Sequence, residues 1–275
     1  MQPPARSVVF IGLGSMGGAI ARAGVHAGVL VPTHLTLIDH EPSRCADLGA
    51  RGARVFTEVG AWLGAGSVAP GTRVVLAVKP QGFAPVASAL QGRLAPDTLL
   101  LSIMAGVRIE RLARDTGAQC VVRAMPNLPA SVGQGVTAVC AGERVSPHDA
   151  QWVDALFFAC GPAVVACPEP MLDAFTALAG SGPAYVYLLA ECLAHAARQQ
   201  GFEPDAAEAL ARQTIIGAAR LLEADERTPR ALREAVTSKG GTTAAACAVL
   251  EGAGLARLVH DAVQAGTQRS RELAG

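Results

Sequence analysis

The sequence has no excess of charge of either sign, no paired-cysteine motif and no long apolar run, and each absence closes off a class of function. Basic and acidic residues number 23 each. Neither sign gathers into a stripe or run, which argues against nucleic acid or an anionic membrane as a partner. Lysine is scarce: Lys79 and Lys239 are the only two, and both fall in motifs taken up below. The seven cysteines, Cys45, Cys120, Cys140, Cys160, Cys167, Cys192 and Cys247, are widely spaced and form no C-x-x-C pair. An odd, scattered set speaks against a disulfide framework or zinc knuckle and fits small buried hydrophobes in a reducing compartment. His26, His34, His148, His195 and His260 lack metal-ligand spacing, so no metal site is expected. The longest charge-free stretches run from Ala124 to Gly142 and from Ala174 to Ala190, and prolines and glycines interrupt both, the second at Gly180-Ser-Gly-Pro183. Neither supplies the roughly 20 predominantly apolar residues of a membrane span. A soluble, cytoplasmic protein is the expectation.

What is present begins with length. A chain of 275 residues is long for one core, so two domains are expected, 1–167 and 168–275. In the first, Val8–Ile11, Leu35–Ile38, Arg73–Val78, Thr98–Ile103 and Gln119–Val122 are short, nearly continuous apolar runs, the pattern of buried parallel strands. Met16–Ala27, Ser43–Leu48, Phe83–Leu90 and Arg108–Ala113 read as the helices between them. Val136–Cys140 and Ala163–Cys167 read as further strands around a helix near His148–Phe158, and Gly64–Gly71 as a surface loop. The alternation predicts an α/β, doubly wound sheet. After Pro168-Glu-Pro170 strand signals stop. Pro183–Gln200, Pro204–Ala224, Pro229–Thr237, Thr242–Glu251 and Leu255–Leu273 read as helices, with prolines in first turns, Thr228 as a cap and Gly201 as a stop. The second domain is predicted to be all-helical.

Gly12-Leu-Gly14-Ser15-Met16-Gly17 follows a predicted strand and opens a predicted helix. In that context the three glycines serve a tight turn, approach of backbone to a pyrophosphate, and close helix packing, which predicts a dinucleotide cradle. Asp39 ends the second strand, 22 residues beyond Gly17. It can accept hydrogen bonds from the adenosine ribose of NADH and repel a 2′-phosphate, or it can cap the turn before Pro42; His40 and Arg44 favour NADPH instead. Ala77-Val78-Lys79-Pro80 ends a strand on the ligand-binding edge of such a sheet, where Lys79 faces the coenzyme or only solvent. Ser102-Ile-Met-Ala105-Gly106 ends the next strand with small residues that admit a flat ring or simply make a turn.

The most informative segment is Val236-Thr-Ser238-Lys239-Gly240-Gly241-Thr242-Thr243. Two glycines between hydroxyl residues, directly before a helical run, expose backbone amides beside hydroxyl donors and make a seat for a small anion, most simply a carboxylate. The alternative for Thr242 and Thr243 is ordinary helix capping.

With both ends in view the chain resembles pyrroline-5-carboxylate reductase nearly end to end. The resemblance is carried by the glycine pattern, Ala77-Val-Lys-Pro80, Arg123-Ala-Met-Pro-Asn127, Gly180-Ser-Gly-Pro-Ala-Tyr185, the 236–243 loop and Arg269-Ser-Arg-Glu-Leu273. Lys239 stands where many members carry proline, and Asp39-His40 where many carry Asn-Arg or Ser-Arg. The resemblance implies a Rossmann-type domain followed by a helical dimerisation domain, with NADPH or NADH reducing a cyclic imine to L-proline. It implies that Ser238, Gly240, Gly241, Thr242 and Thr243 bind substrate, with amides of Gly241, Thr242 and Thr243 on the carboxylate. Thr243 would be the catalytic hydroxyl near the ring nitrogen. Glu226 matches an acidic position near the family's site, or is a solvated helix-end acid. Asn127 holds a loop over the nicotinamide or is a turn asparagine. The 238–243 loop is expected to face the cofactor domain of one subunit of a homodimer. A rival two-domain reductase, the β-hydroxyacid dehydrogenase type, needs a helical lysine in its second domain as acid–base group. The only lysine there is Lys239, in a loop. A non-catalytic nucleotide sensor would leave the hydroxyl loop without a use.

Overall fold

The first half of the chain folds onto one sheet whose strand order is β3-β2-β1-β4-β5-β6-β7-β8. The structure is a computed structural model and describes residues 6–64 and 66–274; residues 1–5, 65 and 275, which belong to ranges assigned above, lie outside it. The strands are β1 (Val8–Ile11), β2 (Leu35–Ile38), β3 (Arg54–Phe56), β4 (Arg73–Leu76), β5 (Leu99–Ser102), β6 (Cys120–Met125), β7 (Val136–Ala141) and β8 (Ala163–Ala166). Helices α1 (Ser15–His26), α2 (Ala46–Gly49), α3 (Val59–Leu63), α4 (Phe83–Leu90), α5 (Ile109–Thr116) and α6 (Pro147–Phe158) run between them.

Both faces of the sheet are covered, which is why β1, β2, β4 and β5 are buried at every position. The alternation of a strand sorts their side chains into two cores. Val8, Phe10, Leu35, Leu37, Leu99 and Leu101 pack on the side of α1 and α6. Val9, Ile11, Ile38, Val74, Leu76 and Leu100 pack on the side of α4 and α5. The chain runs β1-β2-β3 to one side and β4-β5-β6 to the other, so the winding reverses between β1 and β4. Ligands of doubly wound sheets sit at the carboxyl ends of the strands at such a reversal.

Two features depart from the sequence expectation. The edge strand β3 and helix α3 were not anticipated. β3 is three residues long and largely exposed, so it lacks the apolar run that marks its neighbours. The sheet is also not wholly parallel, because β6 and β7 pair antiparallel. Only residues 126–135 join them, with a short 3-10 turn (Leu128–Val132) and no crossover helix, and a parallel return needs a longer connection. Gly64 and residues 66–71 carry no helix or strand, as expected of a loop.

The chain divides into two compact units, one from the residues up to Gly180 together with those from Gly266 onward, the other Ser181–Ala265. In the first, α7 (Met171–Phe175) follows the sheet. There Asp173 accepts a 2.7 Å hydrogen bond from buried Ser270. The second unit contains α8 (Gly182–Gln199), α9 (Pro204–Ala224), α10 (Pro229–Ala235), α11 (Thr242–Gly252) and the start of α12 (Leu255–Ala274). Thr228 caps α10 by accepting from Ala231 N at 3.2 Å, and Gly201 ends α8 with φ +95°.

The expectation that no segment is long and apolar enough to span a membrane needs correction. Met171–Gln199 is a continuous 29-residue helical stretch with a window of mean hydropathy 1.2. Gly180-Ser-Gly-Pro183 does not break it, because the π turn Thr176–Gly180 leads directly into α8 and Pro183 sits in the first turn, where its missing N–H costs nothing. Its apolar surface is little covered. In α8 only Ala194 is buried, and in α9 only Ala207 and Ala211, whereas Tyr187, Leu188, Leu189, Leu210, Leu221 and Leu222 are exposed. Helices apolar on more than one face require further protein surface.

At the amino ends of the strands a buried ion cluster ties β4 to α6. Arg73 Nε donates to Asp149 Oδ1 at 2.9 Å, and its guanidinium stacks 4.4 Å from the Trp152 ring. Arg6 and the Ser146 hydroxyl also donate to Asp149. Burial opposes ionisation of Asp149, but Ser146, Arg73 and Arg6 outweigh it and hold its pKa below the usual carboxylate range. A depressed folded-state pKa contributes stability that is present above the unfolded pKa of about 3.9 and lost as pH falls through the folded value. Asp149→Asn should therefore lose about 2 kcal/mol at pH 7. The gap between parent and variant in urea unfolding should narrow as the pH is taken below 4. A gap that is the same at pH 7 and pH 3 would contradict this role for the cluster.

Candidate functional site

The three glycines of the first loop answer to three different constraints. Gly12 has φ +96°, and a Cβ there would lie 2.8 Å from the backbone of Ala77. The loop thus presses on the end of β4. A Cβ on Gly17 would lie 2.2 Å from Gly12 O and 2.7 Å from Ala77 Cβ, so α1 reaches the sheet only without a side chain at that turn. A Cβ on Gly14 would meet nothing within 4 Å. Its lack of a side chain serves no packing within the protein and leaves open the space in front of α1. No side chain caps α1. The first amide to donate back is that of Gly18, to Gly14 O at 2.9 Å. The amides of Ser15, Met16 and Gly17 have no hydrogen-bond partner among the described residues, as at helix ends that hold a diphosphate. The chain's residues therefore fit a dinucleotide.

Two adjoining cavities of about 340 and 500 Å³ open along this edge and share Gly12, Asp39, His40 and Val78. Ala77, Lys79 and Arg44 line the larger, and Thr57, Glu58, Pro85 and Val86 the smaller. Lys79 is exposed and precedes the 3-10 turn that begins with Pro80. Ala105 is exposed and Gly106, at φ +73°, turns the chain after β5. Asp39 is buried, and both of its oxygens are engaged. Leu13 N donates to Oδ2 at 2.6 Å and Glu41 N donates to Oδ1 at 2.9 Å. The acid therefore pins the glycine loop to β2 and makes the turn before Pro42. Asn127 is engaged at both amide atoms: its Oδ1 accepts from Val136 N at 3.0 Å and its Nδ2 donates to Ala179 O at 3.1 Å. It braces the β6–β7 connection against the π turn.

In the helical unit the glycine–hydroxyl loop enters α11 as the sequence suggests, with one change. The Gly241 amide, expected to face an anion, donates to Ser238 O at 3.0 Å and closes the turn. Gly240 supplies the positive φ of +73°, and the Ser238 hydroxyl stands over Gly241, 2.3 Å from where a Cβ would be. No side chain caps α11, and the first amide to donate back is Ala245, to Gly241 O. The amides of Thr242, Thr243 and Ala244 have no partner among the described residues. The Thr243 hydroxyl is half-buried and has no hydrogen-bond partner among the described residues. Lys239 is exposed. Glu226 is exposed in the connection from α9 to α10, beside the Asp225–Arg227 ion pair, and takes no part in a hydrogen bond or ion pair among the described residues.

Comparison with known proteins accounts for both halves. A family model for pyrroline-5-carboxylate reductase dimerisation matches residues 169–273, and one for NADP oxidoreductase, coenzyme F420-dependent, matches residues 7–106. The pyrroline-5-carboxylate reductase of Pisum sativum is 36% identical over 264 residues, covering 96% of this chain and 94% of its own. That of Methanosarcina acetivorans is 35% identical over 273 residues, with 98% of each covered. This chain belongs to the pyrroline-5-carboxylate reductase family. The solved reductase of Coxiella burnetii superposes with a TM-score of 0.85 at 31% identity, covering 98% of this chain and 99% of that one. A Plasmodium falciparum pyrroline carboxylate reductase with NADP bound gives 0.82 at 27% identity over 98% of both chains. The family's dimerisation model lies over the exposed apolar helices, so the chain is a homo-oligomer.

Sequence reasoning missed the ion pairing of Glu41 with Arg44 and the α3–α4 wall of the cleft. The first follows from a turn whose shape depends on Asp39. The second needed β3 and α3, which bring Thr57 and Glu58 to the edge.

Proposed function

We propose that this protein reduces 1-pyrroline-5-carboxylate to L-proline with NAD(P)H, the last step of proline biosynthesis, and that the 238–243 loop holds the substrate. The observation that carries the loop assignment is the row of amides at Thr242, Thr243 and Ala244, beside the Thr243 hydroxyl, that find no hydrogen-bond partner among the described residues. The amides and Ser238 hold the carboxylate. The Thr243 hydroxyl hydrogen-bonds the ring nitrogen and orients the imine. Threonine is a poor acid, so the proton that completes the amine comes with the protonated imine or through water. When bound, the nicotinamide supplies a hydride to the imine carbon. Gly12, Gly14, Ser15, Met16 and Gly17 cradle the diphosphate, and Ala77, Val78, Lys79, Pro80, Ala105 and Gly106 line the coenzyme's path. Asp39, His40 and Asn127 shape that path; Asp39 and Asn127 do so as braces. Glu226 is kept as a substrate-side acid. Isotope transfer tests the chemistry. Proline formed with coenzyme carrying deuterium at both nicotinamide C4 positions should carry one deuterium on the ring carbon beside nitrogen, away from the carboxylate. Unlabelled proline would exclude direct hydride transfer.

We further propose a homodimer as the minimum functional unit, with the helical residues 168–275 as its interface and the site complete only in the dimer. The exposed leucines of α8 and α9 support this. On dilution, light scattering and specific activity should fall together. A monomer with full activity would contradict it.

A further inference from the structure

The cleft carries a charge cluster that the reaction itself does not need. Asp39, His40, Glu41 and Arg44 follow β2 where the adenosine ribose of a dinucleotide lies in a doubly wound sheet. Arg44 is the cation of this turn that could meet a 2′-phosphate, yet it is taken. Its Nη2 donates to Glu41 Oε1 at 2.8 Å, and its Nη1 lies 3.5 Å from Asp39 Oδ1. The exposed His40 ring stands between the same two acids, 3.4 Å from Asp39 and 3.5 Å from Glu41. Asp39 itself is locked by Leu13 N and Glu41 N. Two carboxylates, Asp39 and Glu41, face the one Arg44 guanidinium. The other charged groups lining the two cavities are Glu58, also negative, and Lys79, which comes from the far side of β1.

We propose that Glu41 is a specificity-determining residue that tilts this enzyme toward NADH. It does so by holding Arg44 in an ion pair and by adding a second negative charge where the 2′-phosphate of NADPH would sit. A ribose hydroxyl tolerates that charge and a phosphate dianion does not. Asp39 contributes as a fixed negative group; the adjustable element is Glu41. The proposal rests on the reading of this cleft as the coenzyme site.

The test is direct binding of NADH and NADPH to the full-length protein without imine, followed by nicotinamide fluorescence. The parent should bind NADH more tightly. Glu41→Gln keeps the side chain's shape and removes its charge, and should lower the ratio of the NADPH to the NADH dissociation constant about tenfold, the scale of one charge-assisted hydrogen bond gained by the phosphate. Adding Arg44→Ala to Glu41→Gln should remove the part of that gain that the freed Arg44 supplies, which a merely structural role for Glu41 would not do. A parent that prefers NADPH, or a ratio unchanged in Glu41→Gln, would overturn the assignment of Glu41 while leaving the cleft as the coenzyme site. Binding of neither coenzyme by the parent would overturn the cleft reading and this proposal with it.

Discussion

Thr243→Val is expected to lower kcat/KM for the imine by about 30- to 1,000-fold, because losing one preorganised donor to the reacting group costs about 2–4 kcal/mol of transition-state stabilisation. Valine matches threonine in shape, and the Thr243 hydroxyl makes no hydrogen bond within the described protein. Its loss therefore leaves no orphaned partner, and the fold should melt at nearly the parent's temperature. The loss should fall on kcat as well as KM, since hydride addition to the imine carbon pushes electron density onto the ring nitrogen and a hydrogen bond donated to it strengthens in the transition state. The amides of Thr242, Thr243 and Ala244 remain, so carboxylate binding should weaken less than turnover. Lys239→Ala serves as the control in the same loop. Its exposed side chain should matter little. Parent-level kcat/KM in Thr243→Val would remove that hydroxyl from the mechanism.

Gly17→Ala is expected to lower affinity for either coenzyme by about 100-fold. The added methyl would sit 2.2 Å from Gly12 O and 2.7 Å from Ala77 Cβ. Neither neighbour can yield cheaply, since one is backbone in a loop pressed on β4 and the other a short side chain at a strand end. The start of α1 must move out, carrying with it the unpaired amides that hold the diphosphate. Overpacking of this kind costs about 1–3 kcal/mol and sometimes more, and here the displaced atoms are the binding atoms. Gly14→Ala is the informative partner. Its methyl meets nothing within 4 Å, so it should leave stability intact and still obstruct the coenzyme. Calorimetry on both variants checks the pair. Normal coenzyme affinity in Gly17→Ala would mean that the α1 amides do not carry the diphosphate.

The parts of this protein that could be read from sequence are those fixed by local pattern. β1, β2, β4 and β5 are apolar at almost every position because helices cover both faces of the sheet, and short runs of that kind suit a strand buried on both sides. The glycine loop was legible because its spacing follows a strand and opens a helix. The shape of the 236–243 loop was legible because its glycines stand directly before a helical run, and Gly240 does take a positive φ ahead of α11. What could not be read depends on contacts distant in sequence. β3 gains its place only by pairing with β2. The antiparallel turn of β7 reflects the length of one connection. Asp39 and Asn127 stand out in the sequence by residue type, but their partners, Leu13 N, Val136 N and Ala179 O, are set by the folded chain. The helical continuity of Met171–Gln199 is hidden in the sequence because Gly-Ser-Gly-Pro reads locally as a break, and a π turn absorbs it.

The central claim is that this protein binds a dinucleotide and a small cyclic imino acid and moves hydride between them. The most direct measurement mixes purified protein with reduced coenzyme, with and without 1-pyrroline-5-carboxylate, and follows both nicotinamide absorbance and proline. Coenzyme should be oxidised only when the imine is present, with one proline formed per coenzyme oxidised. Coenzyme that binds but is not oxidised in the presence of the imine, or is oxidised without proline appearing, would contradict the claim.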